Sequence, residues 1–461
     1  MIAEPTVKNS PSTSENTDRF DAVGLSVVLG LGVTGLSCAR YLTARGHKVL
    51  IVDSRERPPG LDALRLGCPG VEVWSGTLDV QLPPATVQLV VSPGLPTDIP
   101  VIAEARRQGI DVIGDIELFA RVADRPVAAI TGSNGKSTVT TMVADMARRA
   151  GRQMPAGGNL GTPALDLLQM PAEAYLLELS SFQLELTDSL APAVASVLNL
   201  SVDHIDRHGT LADYAAAKAK VFNNAGLRVA NREDPQVIDM VAGCDNVVTF
   251  GLDPGTGNDY GVVEHDGCDW LARGDDLFMP VGELGVPGAH NVLNALAALA
   301  IGDGLGLAKD QMRAALRAYR GLPHRTQLIS KASGVSWIND SKATNVGAAI
   351  AAARGLGDRL VLIAGGDGKG ADFTPLATAL RGRVRGVVLL GQDAPKLAAA
   401  FEGVAPVRMV ASMADAVEAA GEIAKPGDTV LLSPACSSLD MYDSFAARGD
   451  AFRRAVQEFD A

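Results

Sequence analysis

Short apolar runs alternate with longer Ala- and Leu-rich stretches along almost the whole chain. This alternation is typical of parallel α/β architecture, in which each buried strand is followed by a helix that covers the sheet. The first example is a strand candidate at Leu25–Leu29, a glycine turn, a helix to about Arg45 and a second strand at Lys48–Val52. The pattern therefore predicts an α/β fold that begins with a Rossmann-like domain.

The same order recurs twice, and 461 residues are too many for one hydrophobic core. Val127–Ile130 runs into a second glycine turn and helix, which predicts a central parallel-sheet domain resembling a phosphate-loop ATPase. Later strands of this domain are expected at Ala174–Leu179 and Ala195–Leu200. Residues 245–287 are rich in Gly and Asp with short β-rich pieces, which predicts a small antiparallel excursion. Later apolar runs, at Val335–Asn339, Leu360–Ala364, Val387–Leu390 and Thr429–Ser433, predict a second Rossmann-like domain. The predicted divisions are a disordered leader at 1–22, then domains at 23–114, 115–321 and 322–461.

Composition restricts the partners. The net charge of −12 argues against non-specific binding to nucleic acid, which needs a cationic surface. No apolar run reaches the roughly 18 residues of a membrane span. The five cysteines are scattered without paired metal spacing, and the leader lacks the apolar core of a signal peptide. We expect a cytoplasmic protein with no nucleic-acid partner and no membrane insertion.

The first glycine loop reads Gly30-Leu-Gly32-Val-Thr-Gly35, and Asp53 ends the next strand. This is the dinucleotide-binding fingerprint, in which glycines admit phosphates close to the backbone and the acid accepts ribose hydroxyls. A nicotinamide dehydrogenase is one interpretation. A second nucleotide loop lies downstream, however, and no nearby residue is an obvious acid for hydride transfer.

The second glycine loop reads Thr131-Gly-Ser-Asn-Gly-Lys-Ser-Thr138. Its amides can surround phosphate oxygens, Lys136 supplies a point charge, and the hydroxyl of Ser137 or Thr138 can reach Mg²⁺. It departs from the strict phosphate-loop pattern because Ile130 stands where the first glycine is usual. The loop indicates phosphate binding, in either an enzyme or a non-catalytic switch.

Polar residues follow several other strands. Glu178 ends an apolar strand beside the phosphate loop and is placed to hold Mg²⁺. His204 lies in a polar cluster after another strand. Asn291 and Asn294, three residues apart, share one helix face. Lys218 falls in a predicted Ala-rich helix at Tyr214–Phe222, and by pattern alone it would be a solvated lysine on the helix face.

In the third unit, polar loops follow three strands and carry Lys342, Lys369 and the run Ser433–Ser438. The carboxyl ends of parallel strands meet at one edge of a sheet, so these loops face one crevice. Arg325 precedes the first strand of the unit. The crevice is thus predicted to be cationic, which suits ATP and a carboxylate substrate.

Taken in order, the motifs TGSNGKST, LELSSFQLE, DHIDRHG, HNVLNA, GLPHR, NDSKATN, GGDGK and LLSPACSSLD resemble those of the Mur ligases. The resemblance covers about residues 23–458. With GLGVTGLS, SPGLP and GDIELF in the first unit, it narrows to the branch that adds D-glutamate to UDP-N-acetylmuramoyl-L-alanine in cytoplasmic peptidoglycan precursor synthesis. A sister ligase that adds another amino acid remains the alternative.

The resemblance implies roles for individual residues. Those expected to bind ATP are Gly132, Ser133, Asn134, Gly135, Lys136, Ser137, Thr138, Asn291, Asn294, Arg325 and Asp340. Those expected to bind the UDP substrate are Val33, Thr34, Asp53, Ser54, Arg55, Ser92, Gly94, Asn159, Ser180 and His204. Those expected to frame D-glutamate are Thr344, Lys369, Ser438, Leu439 and Phe445.

The resemblance also implies the chemistry. ATP would phosphorylate the substrate carboxylate, and the amine of D-glutamate would attack the acyl phosphate. Lys136, His204, Lys218 and Lys342 would be catalytic, with Lys218 carbamylated. Two Mg²⁺ ions would be held by Ser137, Glu178, His204 and the modified Lys218. His204 is also a candidate general base because of its usual pKa range. We expect a monomer.

Overall fold

The structure is a computed structural model that describes residues 24–357 and 359–459. The predicted leader at 1–22 lies outside these residues. The chain divides into two compact units, one that ends at Leu118 and one that begins at Phe119. Each unit is built on parallel sheet, and the second unit contains two sheets.

The first unit is a five-stranded parallel sheet in the order β3-β2-β1-β4-β5. Its strands are β1 (Leu25–Leu29), β2 (Lys48–Asp53), β3 (Glu72–Ser75), β4 (Thr86–Val91) and β5 (Asp111–Ile113). Its helices are α1 (Val33–Ala44), α2 (Leu61–Gly67), α3 (Pro100–Arg107) and α4 (Asp115–Ala120), the last of which continues past Leu118. The central strand β1 has strands on both sides, so its apolar run is buried throughout Val27–Leu29.

The second unit begins with a nine-stranded sheet in the order β14-β13-β12-β11-β10-β9-β6-β8-β7. Its strands are β6 (Val127–Thr131), β7 (Ala156–Gly158), β8 (Tyr175–Glu178), β9 (Val194–Val197), β10 (Leu227–Asn231), β11 (Val247–Phe250), β12 (Tyr260–His265), β13 (Cys268–Arg273) and β14 (Asp276–Pro280). Strands β12 to β14 pair antiparallel, which confirms the predicted excursion.

The helices of this part alternate with its strands. They are α5 (Lys136–Arg149), α6 (Ala164–Leu167), α7 (Ser181–Glu185), α8 (Ile205–His208), α9 (Leu211–Ala219), α10 (Pro235–Met240), α11 (Ala289–Gly304) and α12 (Lys309–Ala318), with 3₁₀ turns at Lys220–Phe222 and Val281–Glu283. The run Ala295–Ile301 of α11 is buried on every side. A helix that is apolar all round must lie inside the fold, and α11 packs against α5 and the sheet.

The third sheet has six strands in the order β15-β16-β20-β17-β18-β19. They are β15 (Gln327–Ala332), β16 (Val335–Asn339), β17 (Leu360–Ala364), β18 (Val384–Leu389), β19 (Val407–Met409) and β20 (Thr429–Leu432). Its helices are α13 (Val346–Gly355), α14 (Thr374–Leu380), α15 (Ala394–Ala400), α16 (Met413–Ile423) and α17 (Phe445–Phe459). Strands β16, β20 and β17 are parallel neighbours. The loops that follow them therefore share one edge, as predicted.

Two differences from the sequence prediction concern element ends. The strand predicted to continue to Leu200 ends at Val197, and the chain beyond it bonds to the phosphate loop, where Ser133 N donates to Asn199 O at 3.0 Å. The helix predicted to continue to Phe222 tightens into a 3₁₀ turn after Ala219. Within the described part of the chain, no helix is long and apolar enough to cross a membrane.

Candidate active site

The phosphate loop joins β6 to α5 through two glycines in the left-handed half of backbone space, Gly132 at φ 149° and Gly135 at φ 84°. An added Cβ at Gly135 would lie 2.5 Å from the side-chain oxygen of Asn294. Glycine is therefore required both by the backbone conformation and by the close approach of α11.

Lys136 is the first residue of α5, and its ammonium turns back onto the loop. Its Nζ donates to Gly132 O at 2.8 Å and to Ser133 O at 3.0 Å. Burial lowers the pKa of Lys136, and Glu178 opposes this shift. The loop carbonyls hold the cation where a phosphate would be cradled by the loop amides.

A segment after β9 fixes the loop from the other side. The amide of Asn199 accepts from Asn134 N at 2.8 Å and donates to Asn134 O at 3.1 Å. The hydroxyl of Ser133 donates to Ser201 O at 3.1 Å and accepts from Ser201 N at 2.9 Å. These paired contacts define the loop conformation before any ligand binds.

Glu178 ends β8 and is 2% exposed. Its Oε1 accepts from Asn159 Nδ2 at 2.6 Å, whereas its buried Oε2 has no hydrogen-bond partner among the described residues. A buried carboxylate oxygen without a partner is costly unless something else binds it. Carboxylate and hydroxyl oxygens are the ligands that Mg²⁺ prefers, so Glu178 and the nearby hydroxyl of Ser137 fit a divalent cation.

Lys218, on α9, is 1% exposed, so the interpretation from helix pattern alone, a solvated lysine, is wrong. Its Nζ donates to Gly132 O at 2.9 Å and lies 4.5 Å from the ring centroid of Tyr214. Burial lowers the pKa of Lys218 well below its usual value, and the positive charge of Lys136 lowers it further. Desolvation therefore favours a neutral, nucleophilic amine here.

His204 precedes α8 with a left-handed φ of 54°, and its ring packs edge-on against Phe182 with centroids 4.9 Å apart. Burial lowers the pKa of His204 to about 4, against the opposing charge of Asp203. The imidazole is therefore neutral at pH 7, and its lone pair suits a cation. A pKa this low weakens the argument for His204 as general base, which depended on the usual pKa range.

Ser181, His208 and Glu185 form a hydrogen-bonded chain behind Phe182. His208 Nε2 lies 3.0 Å from Ser181 Oγ, and His208 Nδ1 lies 3.2 Å from Glu185 Oε1. A serine, a histidine and an acid in this order resemble the catalytic triad of a hydrolase. Ser181 and the His208 side chain, however, are each only 3% exposed. A substrate cannot reach this serine, so the chain acts as a brace for the aromatic ring in front of it.

The third-sheet loops carry the predicted cations. Lys342 Nζ lies 4.1 Å from the ring centroid of Phe445, and burial together with Arg325 and Lys136 lowers the pKa of Lys342 to about 8. Lys369 Nζ forms an ion pair with Asp203 at 3.1 Å. Ser438 is buried, whereas Leu439 is 71% exposed.

Arg448, on α17, ties these loops together and is 2% exposed. Its guanidinium donates to the carbonyl oxygens of Ser341, Gly365, Cys436 and Ser437, at distances of 2.8–3.4 Å. It also donates to the hydroxyl of Ser341 at 3.0 Å. One side chain thus fixes the loops that follow β16, β17 and β20.

A cavity of about 370 Å³ opens beside the phosphate loop, lined by residues of the second and third sheets. The ATP candidates that line it are Asn134, Gly135, Thr138, Asn291, Asn294, Arg325 and Asp340. Arg325 Nη2 also donates to Ser137 Oγ at 2.9 Å. Burial raises the pKa of Asp340 to about 6, against hydrogen bonds from Ser433 and Thr326. The cavity is large enough for a small ligand and joins loops from both sheets.

The first unit has its own glycine loop, and Asp53 lies beside it. Asp53 is 1% exposed, and its carboxylate accepts from Leu31 N at 2.7 Å and from Arg55 N and Nε at 2.9 Å. Burial would raise the pKa of Asp53, but these hydrogen bonds outweigh it and lower the pKa to about 2. The carboxylate braces the turn, and its predicted contact with a ribose remains a prediction.

The other candidates of the UDP group differ in exposure. Val33, Ser54, Arg55, Gly94 and Asn159 are exposed, whereas Thr34, Ser92 and Ser180 are half-buried. Ser92 Oγ donates to Gly30 O at 3.1 Å, and Ser180 caps α7 in a capping box with Gln183. The exposed members are open to a ligand.

The sequence alone assigned no role to several residues that build the site. Asn199, Asp203 and Asn345 carried a usable signal, because each is a polar side chain close after a buried strand. Tyr214 and Arg448 lie within helices, where the sequence gives no indication that they face the loops.

The sequence matches models of known domains along most of its length. Family models match residues 25–114 (Mur ligase MurD-like, N-terminal domain), 130–302 (Mur ligase middle domain) and 324–436 (Mur ligase, glutamate ligase domain). The UDP-N-acetylmuramoylalanine–D-glutamate ligases of Nitrosococcus oceani and Pseudomonas aeruginosa are each 50% identical over 94% of this chain, which is 96% and 97% of their own lengths.

Among solved structures, the UDP-N-acetylmuramate-alanine ligase MurC from Thermotoga maritima superposes with a TM-score of 0.61 at 19% identity, covering 95% of this chain and all of that one. At that identity the likeness concerns the fold. The family models and the relatives at half identity carry the stronger conclusion: the chain belongs to the Mur ligase family.

Proposed function

We propose that the chain joins D-glutamate to UDP-N-acetylmuramoyl-L-alanine at the cost of one ATP, giving the dipeptide product, ADP and phosphate. The relatives at 50% identity carry names that state this reaction. The observation that supports it here is the convergence of the phosphate loop with the cationic loops of the third sheet, where Arg325 donates to Ser137 Oγ. A phosphate-transfer site and a carboxylate-binding site then share one crevice.

The nucleotide lies in the 370 Å³ cavity, with its phosphates on the loop Gly132–Thr138. Lys136 offers charge to the transferred phosphate, and Asn291 and Asn294 border the cavity from α11. Arg325, which precedes β15, and Asp340, which follows β16, also line the cavity. These assignments follow the general requirement that phosphoryl transfer needs positioning and charge neutralisation.

Glu178 and Ser137 hold a first Mg²⁺, and His204 with a modified Lys218 holds a second. The cations supply neutralisation of charge on the phosphates. Among residues 24–357 and 359–459, no three His, Cys, Asp or Glu side chains cluster as a complete metal site. The remaining ligands would be phosphate oxygens and water, as is usual for Mg²⁺.

Lys218 is carbamylated in the active protein. Its neutral amine attacks the carbon of CO₂. An N–C bond forms, one C–O π bond breaks, and one N–H proton passes to water, which leaves an anionic carbamate. Burial beside Lys136 favours this step, because it disfavours the ammonium form and rewards a negative charge near that cation. With ¹³C-labelled bicarbonate, the wild type should show a carbamate carbon signal that Lys218→Met lacks; its absence in both would refute the modification.

D-Glutamate is framed by Thr344, Lys369, Ser438, Leu439 and Phe445. Lys342 lies near the transferred phosphate, since Lys136 and Arg325 both influence it electrostatically. The UDP part is assigned to the first unit, through Val33, Thr34, Asp53, Ser54, Arg55, Ser92 and Gly94, and the muramoyl part to Asn159, Ser180 and His204.

We also propose that the chain has domains at 23–114, 115–321 and 322–461, that it is a monomer and that it is cytoplasmic.

In the reaction, the substrate carboxylate attacks the terminal phosphorus of ATP, and ADP leaves. The free amine of D-glutamate attacks the acyl carbon, and phosphate departs from the tetrahedral intermediate. Lys136 and Lys342 stabilise charge on the phosphate in both steps. His204, neutral with a pKa of about 4, is better suited to cation binding than to taking a proton from the amine.

The test is phosphate release by the purified protein with ATP, Mg²⁺ and UDP-N-acetylmuramoyl-L-alanine. D-Glutamate, L-glutamate, D-aspartate and meso-diaminopimelate are compared as acceptors. We expect release with D-glutamate alone, together with a product heavier by one glutamyl residue. Release that depends on another amino acid would assign the chain to a sister activity, and release with none would refute the proposal.

A further inference from the structure

Asn345 joins three parts of the second unit and has no role in the reaction proposed so far. It is 7% exposed and lies in the loop between β16 and α13, one residue after Thr344. Its Oδ1 accepts from Ala348 N at 2.8 Å and caps α13. Its Nδ2 donates to Asn134 Oδ1 at 3.2 Å and to Asp203 Oδ2 at 3.0 Å.

The orientation of this amide is fixed by its partners. The main-chain N–H of Ala348 can only donate, and the ionised carboxylate of Asp203 can only accept. Asn345 must therefore turn its oxygen to the helix and its nitrogen to the acid. Aspartate at 345 would still cap the helix but would place two carboxylates against each other.

The partner Asn134 belongs to the phosphate loop. Its main chain is held by Asn199, and its side chain donates to Ser201 Oγ at 3.3 Å. A shift of the phosphate loop would therefore move a hydrogen-bond partner of Asn345.

Asp203 contacts side chains from two loops of the third sheet. Lys369, after β17, contacts its Oδ1 at 3.1 Å, and Asn345, after β16, contacts its Oδ2. Both loops carry residues assigned to D-glutamate. The loops are thus held relative to each other by one carboxylate of the neighbouring sheet.

Helix α13 extends the connection to the nucleotide cavity. An added Cβ at Gly347 would lie 3.1 Å from Ser201 Cβ and Oγ, so the first turn of α13 touches the segment that holds the phosphate loop. Gly347, Ala348, Ala351 and Ala352 line the nucleotide cavity. The N-terminus of α13 therefore continues the loop that carries Thr344, and one face of the helix lines the nucleotide cavity.

We propose that Asn345 is a positioning residue that couples the nucleotide to the amino-acid site, by holding the loop with Lys342 and Thr344 against the phosphate loop and Asp203. The inference rests on the proposed function for its substrate. A bound nucleotide fixes Asn134, Asn134 and Asp203 fix Asn345, and Asn345 fixes the loop that receives D-glutamate.

The first test is kinetic and uses Asn345→Asp. We expect the KM for D-glutamate to rise about tenfold or more, since loss of a hydrogen bond to a charged group costs at least about that factor. The Kd for MgADP should stay within about twofold. Ser412→Ala is the matched control, because it removes the N-cap of α16 and leaves the site untouched. An equal KM change in the control would overturn the proposal.

The second variant separates coupling from simple damage. Asp203→Asn also removes the ion pair with Lys369, so the double variant with Asn345→Asp is compared with both single variants. Because the double variant restores one donor facing one acceptor, its KM should lie at least about threefold below the value expected if the two single effects simply multiplied. Purely multiplicative effects would mean that the contact between the two side chains is not what positions the loop.

The third measurement does not depend on ligase activity. MgADP should slow hydrogen exchange of peptides covering residues 341–348 in the wild type. In Asn345→Asp this slowing should be lost, while protection of the phosphate loop remains. Equal slowing in both proteins would overturn the coupling, even if the wild type proved inactive with D-glutamate.

Discussion

The two glycine loops of this chain both follow a buried strand and begin a helix, but their charges are arranged in opposite ways. At the first loop, Asp53 is neutralised within the turn by Arg55 and the N–H of Leu31. At the second loop, the side-chain nitrogens of Lys136 and Lys218 both contact main-chain carbonyl oxygens of the loop. The charge of the first turn is thus paired within the turn, whereas Lys136 at the second loop donates to carbonyl oxygens and can pair with an anion.

The difference teaches how to separate the two kinds of nucleotide loop. The glycine pattern reports only that the backbone makes a tight turn before a helix, which is common to both. The position of lysines around the turn distinguishes a loop that takes part in phosphoryl transfer from one that docks a diphosphate. The following experiments test this contrast.

The largest expected effect is that of Lys136→Ala. Removal of a preorganised charge from a transition state costs about 10²–10³ in kcat. We expect D-glutamate-dependent phosphate release to fall by that factor, measured at saturating substrates. Lys220→Ala is the matched control, since Lys220 pairs with Asp188 on the outside of the same region. If Lys136→Ala retained near-full activity, the second loop would not be the transfer site.

A smaller effect is expected at the first loop, from Gly35→Ala. An added Cβ there would lie 1.8 Å from Gly30 O, whereas at Gly32 it would meet nothing within 4 Å. We expect Gly35→Ala to destabilise the first unit by about 3 kcal/mol and Gly32→Ala by clearly less. Denaturant unfolding followed by the fluorescence of Trp74, with the other two tryptophans replaced, measures the pair. Equal losses would show that close packing does not define this loop.

The smallest effect is a difference in acid sensitivity. Burial lowers the pKa of four histidines in the second unit: His204, His208, His290 and His324. Such a histidine binds more protons when unfolded, so its stabilising contribution is present above pH of about 6.5 and is lost as the pH falls toward the folded pKa. Asp340 acts in the opposite direction, because its pKa is raised to about 6 and the folded state gains stability when it takes up a proton. It is one group against four histidines.

In the first unit, Asp53 has its pKa lowered to about 2. A carboxylate of this kind contributes stability above about pH 3.9 and loses it only as the pH falls further. Hydrogen exchange at about pH 5 should therefore show the second unit loosening before the first. Simultaneous loosening of both units at that pH would contradict the expected order.

The arrangement of strands was predictable because burial imposes apolar runs of limited length. The ranges Leu25–Leu29, Val335–Asn339 and Leu360–Ala364 agree with the structure residue for residue. Parallel neighbours then place every following loop at one edge, which is why Lys342, Lys369 and Ser438 could be grouped in advance. Ends of elements were less predictable, since tertiary hydrogen bonds such as that from Ser133 N to Asn199 O decide them.

Positions that line the cavity were predictable where they follow a strand or share a helix face, as Asn291 and Asn294 do, but burial of a single helical side chain was not. Lys218 illustrates the limit: spacing on an Ala-rich helix gives no sign that this lysine is buried on Gly132 O. The pKa of His204 illustrates another, because its shift arises from burial among residues distant in sequence. Such quantities depend on the assembled environment and not on local pattern.

Arg448 fixes three loops mostly through carbonyl oxygens of their main chain. A contact of this kind is indifferent to which side chains the loops carry. Substitutions at the positions that face an incoming amino acid can therefore accumulate while the loops keep their shape. A family that diversifies its acceptor in this way changes its selectivity one residue at a time, without having to rebuild the scaffold that presents those residues.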